Sequence, residues 1–465
     1  MPAATMAASP SAALGADEAD RRLIAWLERT LGGEVTSIER QGRWRRAWMV
    51  EFAQGAETKR LYVRGARFRD PLNYPLRLEF EVMSLLEANG IPTPHIYGFC
   101  PDPQGIVMTN DPGQANLGTA ATEEERRSVL DHYIEILAAI HKLDPAQFVP
   151  AGLHLPKTSE EIALHRLDNF EADYRAAKTR PEPLLEYLIG WVRRNAPAHR
   201  RRVSLVTGDP AQFLFRNGRV TAVIDFELSF LGDPIYDLTP LQIRSFMEPL
   251  GDLRRAINRY VDITGETIEG KVYDFYNVEY CVIGSLSAAE LLTRSEPGED
   301  MAQSLEWAIQ GNRFPLELMA YHAGVDLPPL APHEVLPARF APMADHLVGS
   351  IRALQVAEGF QTYQRDRVVG RLADFLSYVA QHGPALERAD IAETEALLDA
   401  KFDSWQAADT ALESFVGKAG PEFDKALIPL FYRRMQRQLF LFEPANRAFP
   451  TPVRVLPFDE LMRAS

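Results

Sequence analysis

The chain has 465 residues, 46% of them hydrophobic and 25% charged, which is the composition of a soluble globular protein with two or three domains. Its formal net charge of −14 argues against nonspecific binding to nucleic acid. No apolar run approaches the roughly 18 residues of a membrane-spanning helix, and two cysteines without a Cys-x-x-Cys pattern indicate neither a disulfide framework nor a zinc site.

Residues 1–17 are rich in Ala, Ser and Pro and lack a basic segment followed by an apolar block. They are predicted to form a disordered tail and not a signal peptide, so a cytoplasmic location is expected. The next stretch, residues 18–31, begins with acidic residues and places Leu23, Leu27 and Leu31 on one stripe. This pattern predicts an amphipathic helix.

Three stretches typical of β-strands follow, at residues 35–39, 47–52 and 60–64. Residues 40–46 link the first two and include Arg43, Arg45 and Arg46, but they contain no Gly-x-Gly-x-x-Gly pattern. Without that pattern the loop is a weak signal. Contact with phosphate groups and a solvated basic turn therefore both stay open.

A helix is predicted over residues 78–86, ending where Gly90-Ile91-Pro92 interrupts it, since proline cannot continue a helix. Strands are predicted at residues 95–99 and 105–109, and Asn110-Asp111-Pro112-Gly113 then predicts a turn. The sequence Thr122-Glu123-Glu124-Glu125 has the form of a capping box and opens a long helix.

The centre of the chain carries a hairpin with an acidic residue at each end. Asp209 precedes a short strand at residues 213–215, and Asp225 ends a second strand at residues 220–224. The two strands are joined through Asn217-Gly218, a strong hairpin signal because both positions tolerate positive φ. Since a hairpin brings its ends together, Asp209 and Asp225 are predicted to lie close. Phosphoryl-transfer enzymes use such acids to hold an attacking hydroxyl and Mg²⁺ side by side.

Three spaced motifs then resemble a known family: Thr207-Gly208-Asp209 through Gln212, Ile224-Asp225-Phe226-Glu227, and Leu231-Gly232-Asp233-Pro234 through Asp237-Leu238. They are similar to the aminoglycoside phosphotransferase (choline-kinase-like) family, and most to its branch related to acyl-CoA-dehydrogenase-associated phosphotransferases. The resemblance covers roughly residues 20–330. It implies an α+β, two-lobed, protein-kinase-like fold with a small antiparallel β lobe, a larger helical lobe and an appended C-terminal all-α domain.

The expected organisation is a tail at 1–17, a nucleotide-binding lobe at 18–110, a helical catalytic and substrate lobe at 111–330 and a helical domain at 331–465. Proline-rich residues 327–342 mark the last boundary. Beyond it the apolar spacing predicts helices at 343–358, 364–381, 391–400, 407–416 and 423–441. No catalytic motif appears there, so a packing module or a homodimer interface is expected.

The resemblance implies ATP and Mg²⁺ as cofactors, with Asp209 as catalytic base, Asp225 and Gln212 as metal ligands, and Asp237 as a buried brace of the catalytic loop. Arg64 stands where kinases carry a phosphate-binding lysine, which makes Glu79 its expected partner and Glu81 the fallback. Arginine can form a fork with phosphate or carboxylate but is not interchangeable with lysine. A surface arginine and an exposed glutamate are the alternative.

The adenine-reading hinge is expected, by the same resemblance, at Met108 to Asp111, with Met108, Asn110 and Asp111 assigned to the cofactor. Two departures from the family pattern stand out. Thr207 replaces a histidine, and the catalytic loop is two residues shorter, with Gln212 in the place of the metal-binding asparagine. The longer glutamine side chain keeps the amide oxygen and can compensate. A nucleotide-binding pseudokinase without turnover stays the alternative to an active kinase.

The expected substrate is a hydroxylated small molecule. The resemblance favours a hydroxyacyl-CoA or a related metabolite, whereas an amino sugar or a choline-like cation is less favoured. Further along the chain, four side chains are candidates for the substrate pocket: Tyr276, Glu279, Tyr280 and Glu290. An aromatic core with a solvated acidic face is the simpler interpretation of this group. Neither nucleic acid nor membrane is expected as a partner.

Overall fold

The computed structural model describes residues 17–41, 45–67, 75–335, 337–357, 359–449 and 453–463. The described residues form two compact units. The first draws on Met1–His154 and Thr207–Phe230, and the second on Leu155–Val206 and Leu231–Ser465. The division into four segments expected from the sequence stays a prediction about domains.

The strands are β1 (Glu34–Arg40), β2 (Ala47–Gln54), β3 (Glu57–Gly65), β4 (Ile96–Pro101), β5 (Gln104–Thr109), β6 (Ser204–Val206), β7 (Phe213–Arg216), β8 (Arg219–Val223) and β9 (Phe230–Gly232). The helices are α1 (Glu18–Leu31), α2 (Leu76–Ala88), α3 (Glu123–Ile140), α4 (Ser159–Ala177), α5 (Pro183–Asn195), α6 (Leu241–Met247), α7 (Leu253–Thr264), α8 (Gly270–Arg294), α9 (Met301–Ala323), α10 (Ala341–Ala353), α11 (Phe360–Tyr363), α12 (Arg371–Leu398), α13 (Trp405–Val416), α14 (Asp424–Phe442) and α15 (Phe458–Leu461).

The first unit is built on an antiparallel sheet with the strand order β1-β2-β3-β5-β4. One face of the sheet packs against α1, because side chains alternate along a strand and Trp48, Val50 and Phe52 all point inward. The buried indole of Trp48 donates to Asp20 Oδ1 at 2.7 Å, which satisfies its polar atom. This sheet provides a rigid base for the β3 side chains.

The hairpin of β7 and β8 turns at Asn217 and Gly218, whose φ angles are 53° and 74°. Both values lie in the left-handed region that a two-residue type I′ turn requires. Phe213 pairs with Val223 at the open end of the hairpin. The hairpin predicted from the sequence is therefore present with its predicted turn.

The second unit is mostly helical, and α8 and α9, which have 25 and 23 residues, pack tightly. A side chain at Gly311 in α9 would come within 2.6 Å of Ser285 Oγ and 3.0 Å of the Cys281 carbonyl oxygen, so only glycine permits this approach. Residues 204–206 of β6 and 231–232 of β9 form a small two-stranded sheet. With the antiparallel sheet of the first unit, this helical remainder confirms the predicted α+β class and the predicted C-terminal helical region.

Two boundaries among the C-terminal helices were predicted wrongly. Residues 360–398 are helical throughout, with a π-helical stretch at Gln364–Gly370, whereas the sequence predicts separate helices at 364–381 and 391–400. Pro384 lies inside α12. A helix of this length continues past it, since a proline removes only one backbone hydrogen bond. The helix predicted at 343–358 ends at Ala353. Over the ranges that the structure describes, none of the helices has the length and apolar composition that crossing a membrane demands.

Candidate functional site

Asp209 lies in the loop before β7, and Gln212 holds its carboxylate. The side-chain amide of Gln212 donates to Asp209 Oδ2 at 2.8 Å. Two residues of this loop, Gly208 and Ala211, have left-handed φ angles of 79° and 62°. The amide of Ala211 donates to the hydroxyl of Tyr133 on α3 at 2.6 Å, a buried contact that fixes the loop.

Asp225 follows β8 and returns to the same end of the hairpin as Asp209. The amide of Ile224 donates to the carbonyl oxygen of Gln212 at 3.0 Å, so the residue before Asp225 is hydrogen-bonded to the residue that holds Asp209. Asp225 itself has a left-handed φ of 67°. Such a conformation is uncommon for a residue other than glycine and is typical of functional sites, where the surroundings enforce it. The two acids and Gln212 are thus brought together.

Arg64 joins Asp225 to Glu79. Its Nε donates to Glu79 Oε2 at 2.8 Å, and its Nη2 contacts Asp225 Oδ1. Glu81, the fallback partner, instead pairs with Arg77 on the surface of α2. The guanidinium is mostly buried, and although burial lowers the pKa of Arg64, the neighbouring Asp225, Glu79 and Glu227 outweigh it and raise that pKa well above its usual value. Arg64 is therefore a permanent cation within reach of Asp225.

Glu79 is the buried centre of this arrangement. Its second oxygen, Oε1, accepts from the amide of Phe226 at 3.2 Å, which anchors the segment directly after Asp225. Burial raises the pKa of Glu79, and Arg64 opposes that rise. A carboxylate so placed ties α2, β3 and the segment after β8 to one point.

Glu227 is held by three arginines. It contacts Arg45, lies 2.7 Å from Arg67 Nη2 through its Oε1, and lies 3.5 Å from Arg64 Nη2 through its Oε2. Burial alone would raise the pKa of Glu227, but Arg67, Arg45 and Arg64 lower it to about 2. It is therefore a carboxylate at any ordinary pH. Glu227 stood in the sequence motif, but nothing in the motif indicated its three partners.

The arginine-rich loop is only partly described. Arg43 lies outside the described residues, whereas Arg45 is 3% exposed and points at Glu227. A solvated turn therefore does not describe Arg45, and contact of this loop with phosphate stays a prediction. The buried arginine instead ties the loop before β2 to the segment after β8.

The predicted hinge residues lie at the end of β5. Met108 is buried and pairs with Tyr62 of β3, and the amide of Asn110 donates to the carbonyl oxygen of Arg60 at 2.9 Å. The carboxylate of Asp111 accepts from the amide of Gly113 at 2.7 Å and from Thr221 Oγ1 at 3.0 Å. Asp111 thus braces the turn against β8, and its part in adenine binding stays a prediction.

The second unit contains the four residues that the sequence offered as candidates for the substrate pocket, together with Asp237. Tyr276 is buried, and its hydroxyl donates to Asp233 Oδ2 at 3.3 Å, while Glu290 pairs with Arg294 on the surface of α8. Tyr280 packs against the ring of Tyr236 with 6.2 Å between centroids. These contacts are those of an aromatic core. Asp237, the expected brace, is fully buried in the 3₁₀ turn Pro234–Leu238.

Glu279 differs from its neighbours because it is buried without an ordinary partner for one oxygen. It is 1% exposed, and its Oε1 accepts no hydrogen bond from any residue that the structure describes. Burial raises the pKa of Glu279 to about 8, although Arg166 opposes the rise. The side chain is therefore protonated over most of the neutral range.

The donor set at the hairpin fits Mg²⁺ in its chemistry. Asp225 offers a carboxylate that is 27% exposed, and Gln212 offers an amide oxygen. Within the described ranges no three His, Cys, Asp or Glu side chains form a cluster able to hold a metal by themselves. Phosphate oxygens and water would have to complete the coordination, which is usual for Mg²⁺ because it keeps several waters.

Comparison with known families supports the fold class that the sequence motifs indicated. Residues 42–268 match the model of the phosphotransferase enzyme family. The resemblance to aminoglycoside phosphotransferases and the protein-kinase-like fold class expected from the sequence are thereby confirmed. A fold of this family supports ATP-dependent phosphoryl transfer to small molecules.

The curated relatives belong to the branch that the motifs indicated. The chain is 27% identical over 189 residues to acyl-CoA dehydrogenase family member 10 of Mus musculus, a match that covers 36% of this chain and 16% of that protein. It is 27% identical over 188 residues to family member 11 of Rattus norvegicus, covering 38% and 24%. The chain thus spans less than a quarter of the length of these relatives.

Two solved structures are among those similar to part of this chain. One is a putative aminoglycoside phosphotransferase from Ralstonia eutropha JMP134, with a TM-score of 0.48, 19% identity, and coverage of 63% of this chain and 94% of that chain. Another is a thermostable mutant of aminoglycoside phosphotransferase APH(4)-Ia, with a TM-score of 0.49, 15% identity, and coverage of 65% and 100%.

Proposed function

We propose that the chain is an ATP-dependent, Mg²⁺-dependent phosphotransferase that moves the γ-phosphate to a hydroxyl of a small molecule. The observation that carries the proposal is the hairpin: it brings Asp209, Gln212 and Asp225 to one end, and Arg64 contacts Asp225 there. Phosphoryl transfer asks a protein mainly for positioning and charge, and this cluster offers a base, oxygen ligands and a fixed cation.

Each residue has a distinct part in this proposal. Asp209 accepts the proton of the substrate hydroxyl, and Gln212 orients that carboxylate through its amide. Asp225 and Gln212 hold Mg²⁺, which supplies charge neutralisation at the transferring group. Arg64, with its Nε fixed by Glu79, directs its remaining N–H groups toward the phosphates. The segment Met108 to Asp111 takes the adenine through its backbone.

A pseudokinase is the second candidate, and one contact favours it. Arg64 occupies Oδ1 of Asp225. A site that kept this contact after nucleotide binding would leave only the second oxygen of Asp225 for the metal, next to a fixed cation. Turnover therefore requires that the Arg64 contact can exchange.

The substrate class that we favour is a hydroxyacyl-CoA or a related hydroxylated metabolite. The support is that the curated relatives are acyl-CoA dehydrogenase family members. This support favours a class of substrate and does not identify a compound. An amino sugar or a choline-like cation is less favoured.

The decisive experiment follows labelled phosphate from ATP to a panel of hydroxylated metabolites, with ATP binding measured by calorimetry in parallel. Wild type is compared with Asp209→Asn and with Asp326→Asn, an exposed aspartate in the second unit that serves as the matched control. Transfer that is lost in Asp209→Asn and kept in Asp326→Asn supports the kinase. Binding without transfer in all three supports the pseudokinase, and absence of ATP binding overturns both.

A further inference from the structure

Arg64 has two carboxylates within reach of the same nitrogen. Its Nη2 contacts Asp225 Oδ1 and lies 3.5 Å from Glu227 Oε2, while its Nε stays on Glu79 at 2.8 Å. A guanidinium that is fixed at Nε needs only a small rotation to move its terminal nitrogen from one acceptor to the other. The side chain is thus able to exchange partners without leaving its position.

Glu227 lies two residues after Asp225 in a segment that other contacts hold in place. Asp225 has a left-handed backbone, which persists at a residue other than glycine only where its surroundings enforce it. Glu79 holds the amide of Phe226, and Arg45 and Arg67 hold the side chain of Glu227. The segment is therefore fixed on both sides of Phe226, and three arginines compete for the one carboxylate of Glu227.

The geometry points to Glu227 as a positioning residue, the alternative acceptor to which Arg64 moves when Asp225 takes a Mg²⁺-bound nucleotide. Arg45 and Arg67 tune this exchange: Arg45 contacts Oε2, the oxygen nearest to Arg64, and Arg67 contacts Oε1 and so draws on the charge of the same carboxylate. The inference rests on the proposed function, since it concerns the same site. Beyond that function, we infer that the charges on residues 45, 67 and 227 govern how readily Arg64 leaves Asp225.

Two substitutions should act in opposite directions. In Glu227→Gln the alternative acceptor loses its charge, so Arg64 stays on Asp225, and the Mg²⁺ concentration for half-maximal nucleotide binding rises about 10-fold or more, as expected for the loss of a charged hydrogen bond. In Arg67→Gln one competitor is removed, so Arg64 moves more readily and that concentration falls about 3-fold. A merely structural role would weaken binding in both variants or in neither.

The measurement is calorimetric titration of the full chain with a non-hydrolysable ATP analogue over a range of Mg²⁺ concentrations, and again with chelator. Arg60→Gln serves as the control, because the Arg60 side chain is 75% exposed. Its ion pair on the sheet surface is weak, with 3.9 Å between Nε and Glu51 Oε1. It should leave the Mg²⁺ dependence unchanged. The chelator series reports whether Arg64 alone supports binding.

The outcomes distinguish a failure of the proposed function from a failure of the inference about Glu227. If wild type binds no nucleotide at any Mg²⁺ concentration, the proposed function fails and takes the inference with it. If wild type binds and the two variants shift in the same direction or not at all, the inference alone is overturned. Should Glu227→Gln fail to fold, Arg67→Gln decides, because a higher or unchanged Mg²⁺ requirement in that variant contradicts the exchange.

Discussion

The side-chain amide of Gln212 donates to Asp209 Oδ2 at 2.8 Å. The carboxylate predicted to act as base is thus held by the side chain predicted to bind the metal. Gln212 lies three residues after Asp209, in a loop that is shorter than the family pattern, and its longer side chain reaches back to the carboxylate. The first prediction tests what the contact does.

Gln212→Asn should lower kcat about 10-fold and leave ATP affinity within about 3-fold of wild type, because a shorter side chain loses its hold on Asp209 while an amide oxygen remains. Steady-state kinetics with the best substrate of the panel, together with calorimetry, checks this. Gln406→Asn, at an exposed helical position, is the control. An unchanged kcat in Gln212→Asn would show that the contact has no part in positioning Asp209.

Arg64→Lys should lower the free energy of unfolding by about 1 to 2 kcal/mol, because an ammonium cannot bridge Glu79 and Asp225 in the way that a guanidinium fork does. Denaturant unfolding of both proteins measures the difference. Arg60→Lys on the sheet surface should change it by less than about 0.5 kcal/mol. Equal stability of Arg64→Lys and wild type would argue against the bridging contact.

Tyr133→Phe should destabilise the chain by about 1 to 3 kcal/mol, since it leaves the buried amide of Ala211 without an acceptor. Ala211→Gly keeps the amide donor of this hydrogen bond and relieves backbone strain, because glycine adopts the left-handed φ of 62° without strain. It should be neutral or slightly stabilising. Thermal unfolding of the two variants distinguishes these effects, and a stable Tyr133→Phe would contradict the anchoring role of the tyrosine hydroxyl.

Glu279 makes stability depend on pH. Burial raises its pKa to about 8 in the folded chain, whereas an unfolded glutamate titrates near about 4.3. Between these values the folded chain holds a proton that the unfolded chain has released. The contribution of Glu279 to stability is therefore greatest below about pH 4.3, falls as the pH rises toward 8, and is constant above.

Glu279→Gln should flatten this dependence, because the amide mimics the protonated acid and does not titrate. Urea unfolding at about pH 5, 6.5 and 8 measures the slope for wild type, for this variant and for Glu334→Gln, an exposed control. A slope that is identical in wild type and Glu279→Gln would mean that the carboxyl is not protonated in the folded chain.

Gly218→Ala should destabilise the hairpin by about 1 kcal/mol, since Gly218 has a φ of 74° and alanine is strained there. The nearest atom to an added Cβ is 3.7 Å away, so the cost comes from the backbone and not from a clash. Gly349→Ala, in open space on α10, should stabilise by roughly 0.5 to 1 kcal/mol. Equal effects of the two substitutions on the unfolding free energy would rule out the turn conformation.

The sequence predicted the features that depend on neighbouring residues. The hairpin follows from Asn217-Gly218 between apolar strands, and the helix at residues 18–31 follows from its apolar spacing. The convergence of Asp209 and Asp225 follows from the hairpin alone. Each of these depends on local conformational preferences, which the amino acids express within a few positions.

The ion pairs of Glu227 could not be predicted in this way. Arg45 precedes it by 182 positions and Arg67 by 160, and neither arginine lies in a recurring spacing with Glu227. Such contacts depend on how β2, β3 and the segment after β8 meet in space. The same limit applies to residues 382–390, where the sequence predicted a break between two helices and the structure has one continuous helix.

The left-handed backbone at Asp225 has a practical consequence for mutagenesis. Among ordinary amino acids, only glycine, asparagine and aspartate enter that region at small cost. Asp225→Asn and Asp225→Gly should therefore yield folded protein, whereas alanine at this position would combine a chemical deletion with a conformational penalty. Asparagine, and not alanine, is the informative replacement for a loss-of-charge experiment.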